Sequence, residues 1–455
     1  MIKRLIILIS LVFIFILSIS VFAQDAHYWT QIYGTRSTLL GGAVIGSVDD
    51  LGATFYNPGK LSLSDDPSFL FSARVFEFVN LSTKPTKGFA DGTSKSQFRP
   101  SPSFIVVNLS SNWLGKNNLA FSFLTRQTFD TRLKSRYVGV PSSSDLSNEI
   151  LYEGNTDEYW GGITWSHPFS GKNELGIGIS NYFVFRSYRS RNSINVQSLD
   201  SLSSVSVLSG TREFDYYNVR ILWKAGIGFT IESIRFGITV TTPSINIFGF
   251  GEADINLHSS GIDIDGDNIP DEFLLTDYQT DLSSEYSSAF ALGIGIYYGF
   301  SNVKVHFSSE YYGRINKYNV LTTNQFVSQT GNVLLTNHLT HAFKPVLNLG
   351  LGLEYLIDKK FTAYGAFVTD FSALDRDVRS NHSVSNWNFY HITGGASITF
   401  EKLEVTFGLS LAFASDNISI PMIPLTPSEE IDFIYQQQYA EISSFRIKLI
   451  LGLTF

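Results

Sequence analysis

Four aspartates, Asp263, Asp265, Asp267 and Asp271, stand at positions 1, 3, 5 and 9 of the stretch DIDGDNIPDEF, the spacing of an oxygen-ligand calcium loop. Residues 260–286 hold eight acids and no Lys or Arg, so a bound cation would relieve real repulsion. Asn268 stands where such loops carry Gly, and position 12 is Leu274 rather than Glu. The expectation is a structural Ca²⁺, with a solvated acidic loop as the alternative. A second set of chemical groups is cationic. Arg446 and Lys448 share one face of a strand-like stretch, and Arg220 and Lys224 share a face of another. Such cations suit the carboxylate of a bound ligand, or acids such as Glu404 and those of the N-terminal segment. Catalytic constellations are missing: the eight His are scattered, no Cys exists and no Gly-x-Ser-x-Gly occurs. HLTH, 338–341, reads as a surface pair in a long loop. Runs such as ALGIGIYYG lack the following helix that a phosphate loop requires, and read as small residues on a strand face. The chain is expected to be no enzyme and to require no cofactor.

What would position these groups is legible in composition and pattern. The first 23 residues read as a secretory signal: Lys3 and Arg4, an apolar run from Leu5 to Phe22, and VFA before Gln24. Cleavage after Ala23 takes the formal charge from −8 to −10, which argues against nucleic-acid binding. Beyond it, no apolar run of about 20 residues is long enough for a membrane helix. Aromatics are nevertheless 15% of the chain and charged residues only 16%.

The last segment, SFRIKLILGLTF, shows the dominant pattern. Phe445, Ile447, Leu449, Leu451, Leu453 and Phe455 fall on one face; Arg446, Lys448, Gly452 and Thr454 fall on the other. KLEVTFGLSLAF and YHITGGASITF repeat it. Short connections near 112–118, 168–174, 230–235, 299–303, 356–360 and 400–404 alternate with seven long polar ones. That alternation predicts about 14 strands, an even count with both termini on the short-turn side. The expected fold is all-β: a transmembrane antiparallel β-barrel of the bacterial outer membrane over residues 68–455, with both termini periplasmic. The bilayer is then a partner, with Trp113, Trp160, Trp165, Tyr182, Tyr297, Tyr298, Tyr311, Tyr312, Trp387 and Phe400 as its interfacial aromatics. The terminal Phe455 is expected to engage the outer-membrane assembly machinery.

Residues 24–67 are too polar to span lipid and too short to be a separate domain. A barrel of this size encloses space, so these residues are expected to plug it. Within them Gly41-Gly42, Asp49-Asp50, Gly52-Ala53 and Asn57-Pro58-Gly59 form a pattern. It resembles the N-terminal hatch of the FadL/TodX family, outer-membrane transporters of long-chain fatty acids and other hydrophobic compounds. Pro58 fixes φ, Asn57 bonds its own backbone in a turn, and Gly59 is expected to supply a positive φ. The resemblance implies passive uptake of a hydrophobic ligand past a shifting hatch. It also implies a kinked third strand beside a gap in the wall, here near Asn118–Phe129, although no Pro or Gly marks a kink there. The alternative is a docking barrel of the same kind, like the PorV-type component of type IX secretion, which moves no lipid. A continuous apolar cavity would point to transport and a sealed polar lumen to docking.

Overall fold

A computed structural model gives the structure of the chain. It describes residues 26–64, 69–83, 94–110, 112–138, 145–169, 174–199, 205–262, 269–375, 387–400, 403–419 and 439–454. The leader, Asp263, Asp265, Asp267 and Phe455 lie outside the described residues.

The N-terminal segment carries two short helices, α1 (Thr35–Leu39) and α2 (Ala53–Tyr56), and a 3₁₀ helix, Pro58–Leu63. Strands follow: β1 Phe69–Thr83, β2 Ser94–Asn108, β3 Asn118–Val138, β4 Asp145–Phe169, β5 Leu175–Leu199 and β6 Val205–Ile231. Then come β7 Ile234–Thr241, β8 Ile245–Ile262, β9 Asp271–Ser283, β10 Ala291–Phe300 and β11 Val303–Tyr312. The strands β12 Ile315–Leu321, β13 Phe326–Val327, β14 Leu334–Leu335 and β15 Leu339–Phe343 form two small sheets of their own. The last five are β16 Val346–Leu356, β17 Phe361–Asp370, β18 Phe389–Phe400, β19 Leu403–Ser419 and β20 Tyr439–Thr454.

Sixteen strands share one sheet, and every ladder between them among the described residues is antiparallel. Strands β1 to β6 pair in sequence, β6 pairs with β7, β7 with β10, and β10 with β11. The ladders continue through β16, β17, β18 and β19 to β20, which pairs with β1. The upper part of β6 pairs instead with β8, and β8 with β9.

Faces follow the alternation of residues. Phe445, Leu449 and Leu451 are exposed, whereas Ser444, Arg446 and Lys448 are buried. On β18 and β19, Ile392, Phe407 and Leu409 are exposed while His391, Thr393 and Ser410 are buried. The apolar face is thus the outer one, the reverse of a water-soluble sandwich. Among the expected interfacial aromatics, Trp113, Trp165, Tyr298, Tyr311 and Phe400 are exposed. Trp160, Tyr182 and Tyr312 are instead buried, because period-two geometry turns them to the inner face, and Trp387, just before β18, is buried too, its carbonyl 2.9 Å from His27 Nε2.

Much of what reads as long polar loop is strand. The β4 and β5 strands are 25 residues each and pair along their whole length. Only about 10 residues are needed to cross lipid. Beyond the apolar band the outward alternation becomes charged, with Arg132–Glu153, Lys134–Glu149 and Arg189–Glu213 ion pairs at 3.0, 3.0 and 3.1 Å between neighbouring strands. That loss of hydrophobic alternation hides the strands from a sequence reading. Residues 313–345 are folded inward: Leu321, Leu339, His341 and Phe343 are buried. HLTH is therefore not a surface pair; His341 packs against Phe343, Tyr286 and Tyr318, and His338 Nδ1 accepts from the Thr323 amide at 3.0 Å.

Candidate functional site

The site is the inner face of the sheet and the N-terminal segment that packs on it. α1 ends where its sequence requires. Gly41 and Gly42 have φ of 63° and 79°, and their amides donate to Thr38 O and Ser37 O at 3.1 and 2.7 Å. This is a glycine C-cap turn, and any side chain at Gly41 would also collide with Val368. Arg36 of α1 donates to Asp49 and to Glu354 of β16, both at 2.9 Å. Lys304 also contacts Glu354, and Ser47 is 2.7 Å from His306 Nδ1. Asp50 Oδ1 accepts from the Gly52 amide at 2.8 Å. Burial, and then the neighbouring Asp49, push the Asp50 carboxyl up to about 6.

Asn57-Pro58-Gly59 opens the 3₁₀ helix. Asn57 Oδ1 accepts from the Gly59 amide at 3.1 Å, and Pro58 takes the first helical position, where a missing N–H costs nothing. The Asn57 Nδ2 donates to Ile45 O and to Ile227 O of β6, each at 3.0 Å. Gly59 corrects an expectation. Its φ is not positive; what excludes a side chain is proximity, since a Cβ there would lie 2.6 Å from Gly226 O and 2.7 Å from Gly176 O. Added side chains at Gly226, Gly237 and Gly46 would likewise strike Pro58, Asn57 and Gly295. The inward glycines of β5, β6, β7 and β10 therefore form a bed on which main chain lies directly against main chain. Lys60 lays its carbon stem over Gly228, and burial, then Arg235, bring its ammonium down to about 8.

At the other end of the segment the contacts are side-chain ones. Tyr28 stacks on Tyr312 with centroids 3.8 Å apart, and Arg126 donates to Tyr28 O at 2.6 Å. Trp29 Nε1 donates to Glu310 at 2.9 Å, and Thr30 Oγ1 donates to Asp370 at 2.5 Å. Beside them lies a cavity of about 60 Å³, lined by Tyr28, Phe55, Arg126, Glu158, Trp160, Lys224, Tyr286, Glu310 and others.

The four expected ligand cations are all buried on the inner face, but each contacts the protein itself. Arg220 donates to Glu158 at 2.7 Å, and Glu158 also takes Arg186 at 3.2 Å. Lys224 pairs with Glu310 at 3.4 Å, Lys448 with Glu77 at 3.6 Å, and Arg446 lies 4.6 Å from the Phe389 ring centroid. Among the described contacts the paired acids Glu158, Glu310 and Glu77 lie on other strands of the sheet, and Lys448 also donates to Thr30 O of the N-terminal segment at 3.1 Å. Arg220 and Lys224 stand near the cavity; Arg446 and Lys448 do not line it. Sequence reasoning missed Glu158, Arg186, Arg126 and Glu310, whose signal was a charge at inward parity within a strand. Asp271 begins β9, opposite Ile262. The third strand does carry an irregularity, a register shift between Thr125 and Gln127 that leaves Arg126 outside the ladder. A bulge needs neither Gly nor Pro, so the sequence gives no mark of it. The β2–β3 ladder runs only from Phe104–Leu124 to Asn108–Ala120.

No protein-family model and no curated protein sequence matches the chain. Solved structures do. A Pseudomonas aeruginosa FadL homologue is 12% identical over 94% of this chain and 99% of its own, with a TM-score of 0.57. The P. putida toluene transporter TodX is 13% identical over 93% and 98%, also at 0.57. The Ralstonia pickettii toluene transporter TbuX is 15% identical over 93% and 98%, at 0.50. The chain has the fold of FadL- and TodX-type proteins.

Proposed function

We propose that this chain is an outer-membrane β-barrel, plugged by its N-terminal segment, that passes hydrophobic small molecules such as long-chain fatty acids toward the periplasm. The observation that carries the reading is the inverted polarity of the sheet: large apolar side chains outside, charged and hydroxyl side chains inside, and residues 26–64 buried against the latter. A surface of that kind is stable in lipid and not in water. Fourteen strands pair in a ring, β6–β7–β10 and β20–β1 completing it, which supports a closed barrel with no free edge in the membrane. The toluene transporters sharing the fold support a hydrophobic ligand. Asp263, Asp265, Asp267 and Asp271 would hold a structural Ca²⁺ outside the membrane, apart from the transport path.

The cavity sets a condition. About 60 Å³ is far below the roughly 300 Å³ of a small ligand site, and its lining mixes aromatic rings with charges rather than being continuously apolar. Passage therefore requires movement of the segment or the wall. The test is uptake of radiolabelled oleate and of toluene by cells whose own hydrophobic channels are deleted. Expression should raise the initial rate for at least one probe by ten-fold or more. No increase for either, with the protein correctly inserted, would favour a docking barrel instead.

A further inference from the structure

The charges buried at the Tyr28 end of the N-terminal segment do not balance. Arg126 and Lys224 line the cavity there, together with Glu158 and Glu310. Arg186 and Arg220 join the set through Glu158, at 3.2 and 2.7 Å. Four cations against two carboxylates leave an excess of two positive charges among the described residues, and none of the six side chains is more than 7% exposed. Asp370 is engaged elsewhere: it accepts from Trp29 N and Thr30 Oγ1 and lies 4.0 Å from His391 Nε2. Buried charge is costly unless something pairs with it.

The carboxylate oxygens are already taken. Glu158 Oε1 accepts from Trp160 Nε1 at 2.8 Å, and its Oε2 from Arg220 and Arg186. Glu310 Oε1 faces Lys224 Nζ at 3.4 Å, and its Oε2 accepts from Trp29 Nε1 at 2.9 Å and from the Tyr312 hydroxyl at 2.5 Å. Nothing is left for Arg126. Its Nη2 donates to Tyr28 O at 2.6 Å, whereas its Nη1 is buried with no hydrogen-bond partner among the described residues. The guanidinium lies 5.5 and 5.6 Å from the Phe55 and Trp160 ring centroids, and Lys224 Nζ lies 4.9 Å from the same Phe55 ring. Aromatic faces attract these charges but do not supply Nη1 with an acceptor. The cavity between them, about 60 Å³, is several times the roughly 10–15 Å³ that holds one water. Water would offer an acceptor and no charge; an anion offers both.

We propose that this cavity binds one small inorganic anion of the halide class, chloride in ordinary media, held by Arg126 and Lys224. A space of that size admits a single ion and no organic ligand, so the site is independent of what the barrel carries. Tyr28 and Phe55 belong to the N-terminal segment, Arg126 and Lys224 to the strands, so the ion ties the two together. The test is equilibrium dialysis of the purified protein in non-ionic detergent against radiolabelled chloride, with gluconate making up the ionic strength. A single saturable site is expected, from which bromide displaces chloride and the bulkier gluconate does not. Arg126→Met should weaken binding about ten-fold or more, the loss of one charge-assisted hydrogen bond. The control is Arg132→Met, which removes an exposed guanidinium of the same strand, paired with Glu153, and should leave the affinity unchanged. Absence of saturable binding, or binding that the Arg126 variant retains in full, would overturn the site; so would an equal loss in the control. Should the Arg126 variant not insert, anomalous scattering from wild-type crystals grown in bromide reads the same point. A peak within hydrogen-bond reach of Arg126 Nη1 is expected, and a cavity without one would overturn the proposal.

Discussion

The two ends of the N-terminal segment are held in different ways. Near Asn57 the contact is backbone on backbone: Gly59 against Gly176 and Gly226, Gly46 against Gly295. Near Tyr28 it is side chain on side chain: a tyrosine stack, a tryptophan donating to Glu310, and an arginine reaching a carbonyl. Glycine beds leave nothing to rearrange, since a shift there moves main chain against main chain and breaks the Asn57 Nδ2 bond to Ile227 O. Side-chain contacts can be exchanged one at a time for others, each hydrogen bond to a charged group being worth about 1.5–3 kcal/mol. The small cavity adjoins the second end and not the first. On the proposed function, residues around Asn57 are the anchor and those around Tyr28 the part that yields to a ligand.

The comparison breaks most readily at the charged end. Glu158→Ala leaves Arg186 and Arg220 buried without their carboxylate and should cost about 3–5 kcal/mol, seen as a lower temperature for losing the folded, heat-modifiable band. A loss under about 1 kcal/mol would mean those guanidinium groups reach water, and that the end near Tyr28 is more open than described. At the anchor, Gly226→Val should cost about 1–3 kcal/mol by overpacking and lift the segment, exposing Lys60 to trypsin. Gly365, with open space around it, supplies the control: Gly365→Ala should leave Lys60 protected. Asn57→Ala removes three hydrogen bonds and should cost about 2 kcal/mol, with the same proteolytic signature but weaker.

The smallest effect is a pH one. The Asp50 carboxyl sits at about 6 when the segment is docked and near 3.8 when free. A raised value means the docked state binds the proton more tightly. Docking is therefore favoured below about pH 4, and that contribution fades as pH rises through about 6. Trypsin cleavage at Lys60 should slow as pH falls from 7 toward 5, after correction for the protease's own pH dependence. Asp50→Asn should flatten the profile; an unchanged profile would mean Asp50 stays solvated.

Much of this was legible beforehand. Period-two alternation in 402–413 and 444–455 named the outer and inner faces correctly, because burial of one face forces that pattern. The hatch motif pointed to a turn, and Asn57 and Pro58 behave as their chemistry dictates. Gly59 shows the limit. Its local sequence allows either a positive φ or a close approach, and only the opposing strands decide between them. Their glycines were visible as alternating residues in LGIGIS and AGIGF, but nothing along the chain says that these runs face Asn57-Pro58-Gly59. Inward charges such as Glu158 were hidden for the same reason: their partners are distant in sequence. Strand extensions past Ser187 were read as loops because the outer face turns charged there, at Arg189, Arg191 and Glu213, while the apolar side chains, such as Ile194 and Leu208, fall on the inner face.

The central claim is that residues 26–64 fill the inside of the barrel and are anchored on its glycines. Single-channel recording in planar bilayers tests it most directly, comparing the intact protein with a chain lacking residues 24–64. Fourteen strands leave a lumen that wall side chains alone do not fill. The shortened barrel, if it retains its heat-modifiable folded form, should show large, steady conductance where the intact protein shows almost none. Equal conductance of the two would place the segment outside the lumen and contradict the account.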